Sequence, residues 1–120
     1  MSIINTKDIN LKNLGSFSGT ESFHKLILGF VGTDGIEYLM SNGYAWAVTD
    51  ACIILKKKLM VSREDFVVVS VEPMENNRAK ISYKDRSGNL LFGQEYAWSD
   101  AIVKFKMIYS NGILMLSGEY

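Results

Sequence analysis

The periodicity of the apolar residues changes once along this chain, near Ser62, and that change limits the fold more than any other feature. Before it, apolar residues recur three and four apart; after it, they alternate with polar ones. Helical patterning followed by strand patterning predicts an α+β domain, with two to three N-terminal helices packed on one face of a five-stranded antiparallel β-meander. The chain reads as a single domain over residues 1–120. Residues 1–16 form a polar arm, 17–58 the helical part and 64–120 the sheet.

Ser18-Gly-Thr-Glu21 has capping-box spacing, and Phe23, Leu26, Ile27 and Phe30 follow at helical intervals. That predicts a first helix from about Thr20 to Phe30. A second starts at Thr33 or Asp34, buries Ile36, Leu39 and Met40, and stops at Gly43, where a left-handed residue is wanted. The third spans Tyr44–Lys58. Tyr44, Ala47, Val48, Ala51, Ile54 and Leu55 share its apolar side, with Cys52 at the edge. Trp46, Thr49, Asp50, Ile53, Lys56 and Lys57 share the other, and three lysines stand where the helix dipole favours positive charge.

In the second half, Phe66–Glu72 is a β-branched run closed by Pro73 and a turn through Met-Glu-Asn-Asn. Ala79, Ile81 and Tyr83 alternate with lysine and serine. A loop at 86–89 returns the chain into Leu90–Trp98, which places Tyr83 opposite Phe92, Ile81 opposite Gln94 and Ala79 opposite Tyr96. Asn111-Gly112 is the preferred two-residue type I′ turn. Its register sets Tyr109 against Leu114, Met107 against Leu116, Val103 against Tyr120 and Lys104 against Glu119, with the chain ending inside a strand.

Composition excludes several functions. Lysine plus arginine and aspartate plus glutamate number 13 each, so no net field exists to hold nucleic acid or to imitate it. The nucleic-acid contact expected is at most a weak phosphate patch through Lys80, Lys84, Lys104 and Lys106 on the outer sheet face. One cysteine cannot build an internal disulfide, the N-terminus lacks a signal-peptide pattern, and no stretch approaches the ~20 apolar residues of a membrane span. The expected setting is the cytoplasm, a host's cytoplasm if the chain is phage-encoded, with no membrane partner.

No cofactor or metal is expected, because His24 and Cys52 stand 28 residues apart without further ligands. His24 reads as a helix-boundary residue and Cys52 as a packing residue. Gly29, Gly32 and Gly35 follow a helix, not a strand, and lack the lysine-hydroxyl pair of a phosphate loop. Carboxylates remain. Asp50 or Asp100 could serve as base in a small carboxylate-dependent enzyme if two acids met in a cleft. The plainer reading has Asp34 and Asp100 shaping turns, Glu119 paired with Lys104, and Asp50 bonded to backbone or to a tyrosine. The leading reading, to which the carboxylate enzyme is the alternative, is a non-enzymatic, partner-binding surface on the same side of the third helix, formed by Trp46, Asp50 and Ile53 with Trp98 and Asp100. Burial of Trp46 would instead make it a second core layer. A structural homo-oligomer through the sheet face or an edge strand is the third reading.

Phe17-Ser-Gly-Thr-Glu21, Thr33-Asp-Gly-Ile-Glu-Tyr-Leu39, Trp46 with Asp50-Ala51, Ser99-Asp100 and the ending Asn111–Tyr120 together resemble a small domain-of-unknown-function family. Its members occur largely on bacterial plasmids, phages and prophages. The resemblance brings no catalytic residue. It implies an inhibitor of a host defence complex, of the anti-CRISPR or anti-restriction kind, acting by occluding a partner surface.

Overall fold

The computed structural model describes residues 22–97 and 103–120. It is an α+β structure in which one helical stretch lies on a seven-stranded mixed sheet. The expected arm, the capping box at 18–21, Trp98 and Asp100 lie outside the described residues.

The first helix is not formed over the described part of its expected span. β1 (His24–Lys25) pairs with β2 (Val31–Gly32) in a short antiparallel ribbon, and a 3₁₀ turn over Ile27–Gly29 joins them. Leu28 and Gly29 take positive φ of 60° and 83° there. Two successive left-handed residues cannot continue a right-handed helix. The i, i+3, i+4, i+7 spacing of Phe23, Leu26, Ile27 and Phe30 is therefore used for turn packing. Leu26 N–H closes the ribbon on Phe30 O at 2.9 Å.

The next two expected helices are arms of one stretch, α1 (Asp34–Leu39) and α2 (Ala45–Ile53), which a wider turn over Ile54–Lys58 prolongs. Gly43, at φ 95°, bends the stretch between the arms. Ile36, Leu39, Tyr44, Ala47, Val48, Ala51 and Leu55 are all buried, as the periodicity predicts, and Cys52 joins them; Met40 and Ile54, also expected in the core, are only half-buried. They pack on Val67, Val69 and Val71 of β3 (Phe66–Met74), on Ala79, Ile81 and Tyr83 of β4 (Arg78–Lys84), and on residues of the last hairpin.

Strand order is β1-β2-β7-β6-β3-β4-β5, with β5 (Leu90–Tyr96), β6 (Phe105–Ser110) and β7 (Ile113–Leu116) completing the set. The five long strands pair antiparallel, but they are not a meander. After β5 the chain returns to lay β6 against β3, so that Val69 faces Met107 and Val67 faces Tyr109. β3 lies between β6 and β4, the middle one of the five long strands. β2 runs parallel to β7, extending the sheet on that side.

Local registers match expectation. Tyr83 faces Phe92, Ile81 faces Gln94 and Ala79 faces Tyr96; Tyr109 faces Leu114 and Met107 faces Leu116. Asn111 and Gly112 carry the positive φ of a type I′ turn, at 54° and 80°. Pro73 does not end β3 but pairs with Ala79, and the reversal falls at Asn76-Asn77, both at positive φ.

The last residues depart from the expected strand. Ser117–Glu119 form a 3₁₀ turn, so Val103 does not meet Tyr120 nor Lys104 meet Glu119. Lys104 reaches Glu72 instead, at 3.8 Å. The Glu119 carboxylate accepts the Thr33 hydroxyl at 2.6 Å, Gly35 N–H at 3.1 Å and Leu116 N–H at 2.9 Å. It thus clasps the start of α1, where negative charge is favoured.

Candidate functional site

On α2, residues four and three apart share a face, which puts Trp46, Asp50 and Ile53 in one row. The opposite row is in the core, so this one looks outward. Ile53 is 40% exposed. Trp46 is half-buried and packs on the core margin, its ring edge-on to Tyr96 with centroids 5.2 Å apart, and tilted against Tyr44 at 6.3 Å. The alternatives of a buried second layer and an open surface both fall short: Trp46 belongs partly to each.

Tyr96, at the end of β5, joins the row together. Its hydroxyl donates to Asp50 Oδ2 at 2.8 Å. The reading of Asp50 as an acid bonded to a tyrosine describes this contact. The sequence signal was available in part: the strand register turns Tyr96 inward with Ala79, and an acid interrupts an apolar helix. What it lacked was the relative placement of helix and strand. Of the five residues expected in a partner surface, the structure brings Trp46 and Asp50 together through Tyr96 and sets Ile53 on the same face. Trp98 and Asp100 lie outside the described residues.

Beneath the row lie Tyr83 and Cys52. Tyr83 is fully buried, and its hydroxyl has no hydrogen-bond partner among the described residues. Burial holds that phenol well above its ordinary range, and the charges of Tyr96, Asp50 and Cys52 add to the effect. Tyr96 is raised first by burial and then by its bond to Asp50, which favours the protonated donor. Burial pushes the Cys52 thiol up to about 12. At neutral pH these three groups keep their protons, so none is a ready nucleophile or base.

A second polar group sits at the start of α1. His24 Nε2 and Asp34 Oδ1 are 3.0 Å apart, Ser22 Oγ donates to the same oxygen at 2.9 Å, and His24 Nδ1 is 3.6 Å from Glu37 Oε1. His24 is thus on a strand, not at a helix boundary. Serine activation requires the imidazole to lie between hydroxyl and acid. Here the carboxylate lies between them, which is the wrong order for that chemistry. Among the described residues no group of three or more histidine, cysteine, aspartate or glutamate side chains is placed to hold a metal ion.

The four expected lysines are all exposed, alternating with core residues and so directed to the outer side. Their field is diluted. Lys80 stands between Glu72 and Glu95 on the neighbouring strands, and Lys104 bonds Glu72. No described helix is long and apolar enough to cross a membrane.

These features define a small α+β domain whose helix carries an aromatic and acidic row over an otherwise packed core. The chain belongs to a family of unknown function, DUF6876, whose model matches residues 8–120. No curated protein and no solved structure matches it.

Proposed function

We propose that this chain is a non-enzymatic protein-binding module that acts by covering a surface of its partner. The supporting observation is the row Trp46, Asp50 and Ile53 with Tyr96. It combines aromatic, acidic and aliphatic groups, anchored from below by a fully buried helix side. Rings and acids held in place before binding lose little entropy on association, which is why such groups anchor interfaces. Trp98 and Asp100 belong to the proposal on sequence grounds. The finer reading, inhibition of a host defence complex of the CRISPR or restriction type, rests on the resemblance to a family carried on mobile elements.

The test is affinity capture from the native host with the wild type, Ile53→Arg and Asp50→Asn. Ile53 is partly exposed, so its replacement should leave the melting transition in place. We expect one partner to bind the wild type and to bind Ile53→Arg at least about tenfold more weakly. Equal capture by all three proteins rejects this surface. A defence-complex subunit as the captured partner supports the inhibitor reading, and a partner from other machinery rejects it.

A further inference from the structure

A different surface lies at the far end of the helix, and its residues are unusual in three ways. Met60 is 76% exposed, the highest value among the large apolar side chains of the described residues, with Leu90 at 63% and Leu91 at 43%. Met60 also has φ of 50°, a left-handed conformation that glycine normally supplies at a helix end. The bond that spans Met60 goes with that conformation: Val61 N–H reaches back to Leu55 O at 3.0 Å, the six-residue closure of a left-handed helix end. Among the described residues no hydrogen bond or ring contact engages the Met60 side chain. A strained, solvent-facing apolar residue points to a role outside the monomer.

Beside Met60 is a hollow of about 270 Å³, lined by Leu59, Val61, Phe66, Val67 and Leu91 with Asp65 and Asp85. Leu91 is one of its lining residues, and a bulge in the register between β4 and β5 leaves it without an opposite residue; exposed Leu90 precedes it and pairs with Lys84. β5 is also the last strand of the sheet on this side. Over Leu90–Tyr96 it has one charged residue, Glu95, and neither the lysine nor the proline that commonly guards an edge. Gly93 is equally unexplained from within: its φ is not positive, and a Cβ there would meet nothing within 4 Å. A strand glycine of this kind suits close approach by another backbone.

We infer that this end is a two-fold interface with a second copy of the chain, Met60 of each copy entering the hollow of the other. The argument for a second copy is self-complementarity. A two-fold interface presents the same patch twice, so it must contain both halves of every contact. This one has a projecting side chain and a hollow. It has cations at Lys56, Lys57 and Lys58 in the last helical turn and carboxylates at Asp65 and Asp85 in the hollow. Among the described residues β5 has no neighbouring strand on its outer side, so its edge belongs to the same boundary. Met60, Leu90 and the residues that line the hollow are not members of the proposed partner-binding row, although Lys56 and Lys57 continue that side of the helix and Tyr96 lies on the same strand.

Sedimentation equilibrium on the wild type, Leu90→Lys and Met60→Gly tests the inference, with circular dichroism to verify folding. The wild type should sediment as a dimer at about 100 µM, and both variants should raise the dissociation constant at least about tenfold. Met60→Gly keeps the result interpretable, because relief of the left-handed strain should make the monomer more stable while dimerisation weakens. A wild type that remains monomeric overturns the inference, as does a dimer indifferent to both substitutions. Growth beyond a dimer overturns it too, because it would show open edge pairing and not a closed two-fold contact. A captured host protein competing for this end without any self-association would assign the surface to another occupant.

Discussion

The Tyr83 hydroxyl is buried beneath α2 without a hydrogen-bond partner among the described residues, while its ring packs against Phe92 with centroids 6.0 Å apart. The ring contributes to the core, and the oxygen opposes that contribution. Leaving a buried hydroxyl without a partner costs about 1–3 kcal/mol, whereas removing it leaves the apolar packing intact. Tyr83→Phe is therefore expected to stabilise the protein by about 1–2 kcal/mol, measured as a higher urea midpoint with an unchanged m-value. A loss of stability would show that the oxygen has a bonding role. Tyr96 differs although it lies in the neighbouring strand. Its oxygen has Asp50, so Tyr96→Phe would forfeit a bond and leave a carboxylate with one donor fewer.

At the scale of elements, the clasp between Glu119 and α1 ties the last turn to the first helix arm. One carboxylate serves three donors, and Thr33 among them is almost fully buried. Glu119→Ala leaves those donors unpaired and should cost about 2–3 kcal/mol in a denaturant melt. Gly35→Ala should cost about 1–3 kcal/mol for a steric reason. A Cβ there would collide with Glu119 Oε1 and stand 2.7 Å from Leu116 Cδ1. If either variant matched the wild type, the clasp would be dispensable. Little of this was legible in the sequence, where Glu119 fell opposite Lys104 by simple continuation of the hairpin. The features that were legible are local. The Asn111-Gly112 turn, the Tyr83–Phe92 register and the apolar side of α2 each follow from period and turn chemistry within about twenty residues. The features that were not legible depend on distant segments. The placement of β6 beside β3, the parallel pairing of β2 with β7, and the ribbon that replaces the first helix are decided by what each segment meets in space. For the candidate site the division is the same: helical spacing set Trp46, Asp50 and Ile53 on one face, but the hydroxyl of Tyr96 that joins Asp50 came from 46 residues away.

For the whole molecule, buried protonated groups make stability fall at alkaline pH. The Cys52 thiol has its ordinary value of 9.0 raised to about 12 in the fold, through burial. Below pH 9 it is protonated in both states and has no effect on stability. Between pH 9 and about 12 the unfolded chain releases a proton that the folded chain retains, so stability declines as pH rises, by at most about 1.4 kcal/mol per pH unit. Tyr83 and Tyr96, also raised from 10.0, act in the same direction further up. Cys52→Ala should flatten the decline between pH 9 and 10, where the tyrosines contribute least. Urea midpoints at half-unit intervals would reveal this, and an unaltered slope would rule out the thiol as its source.

The Glu119 clasp also has a consequence in time. Thr33 and Glu119 are 86 residues apart along the chain, so their contact closes one of the longest loops in the molecule. Contacts of such separation tend to form after the central strands have paired, because their entropy cost is paid before they return anything. A bond made after the folding barrier does not speed folding; it slows escape from the native state. Glu119 would then set how long each molecule remains folded, and in a cell with active proteases that lifetime governs how much of the protein persists.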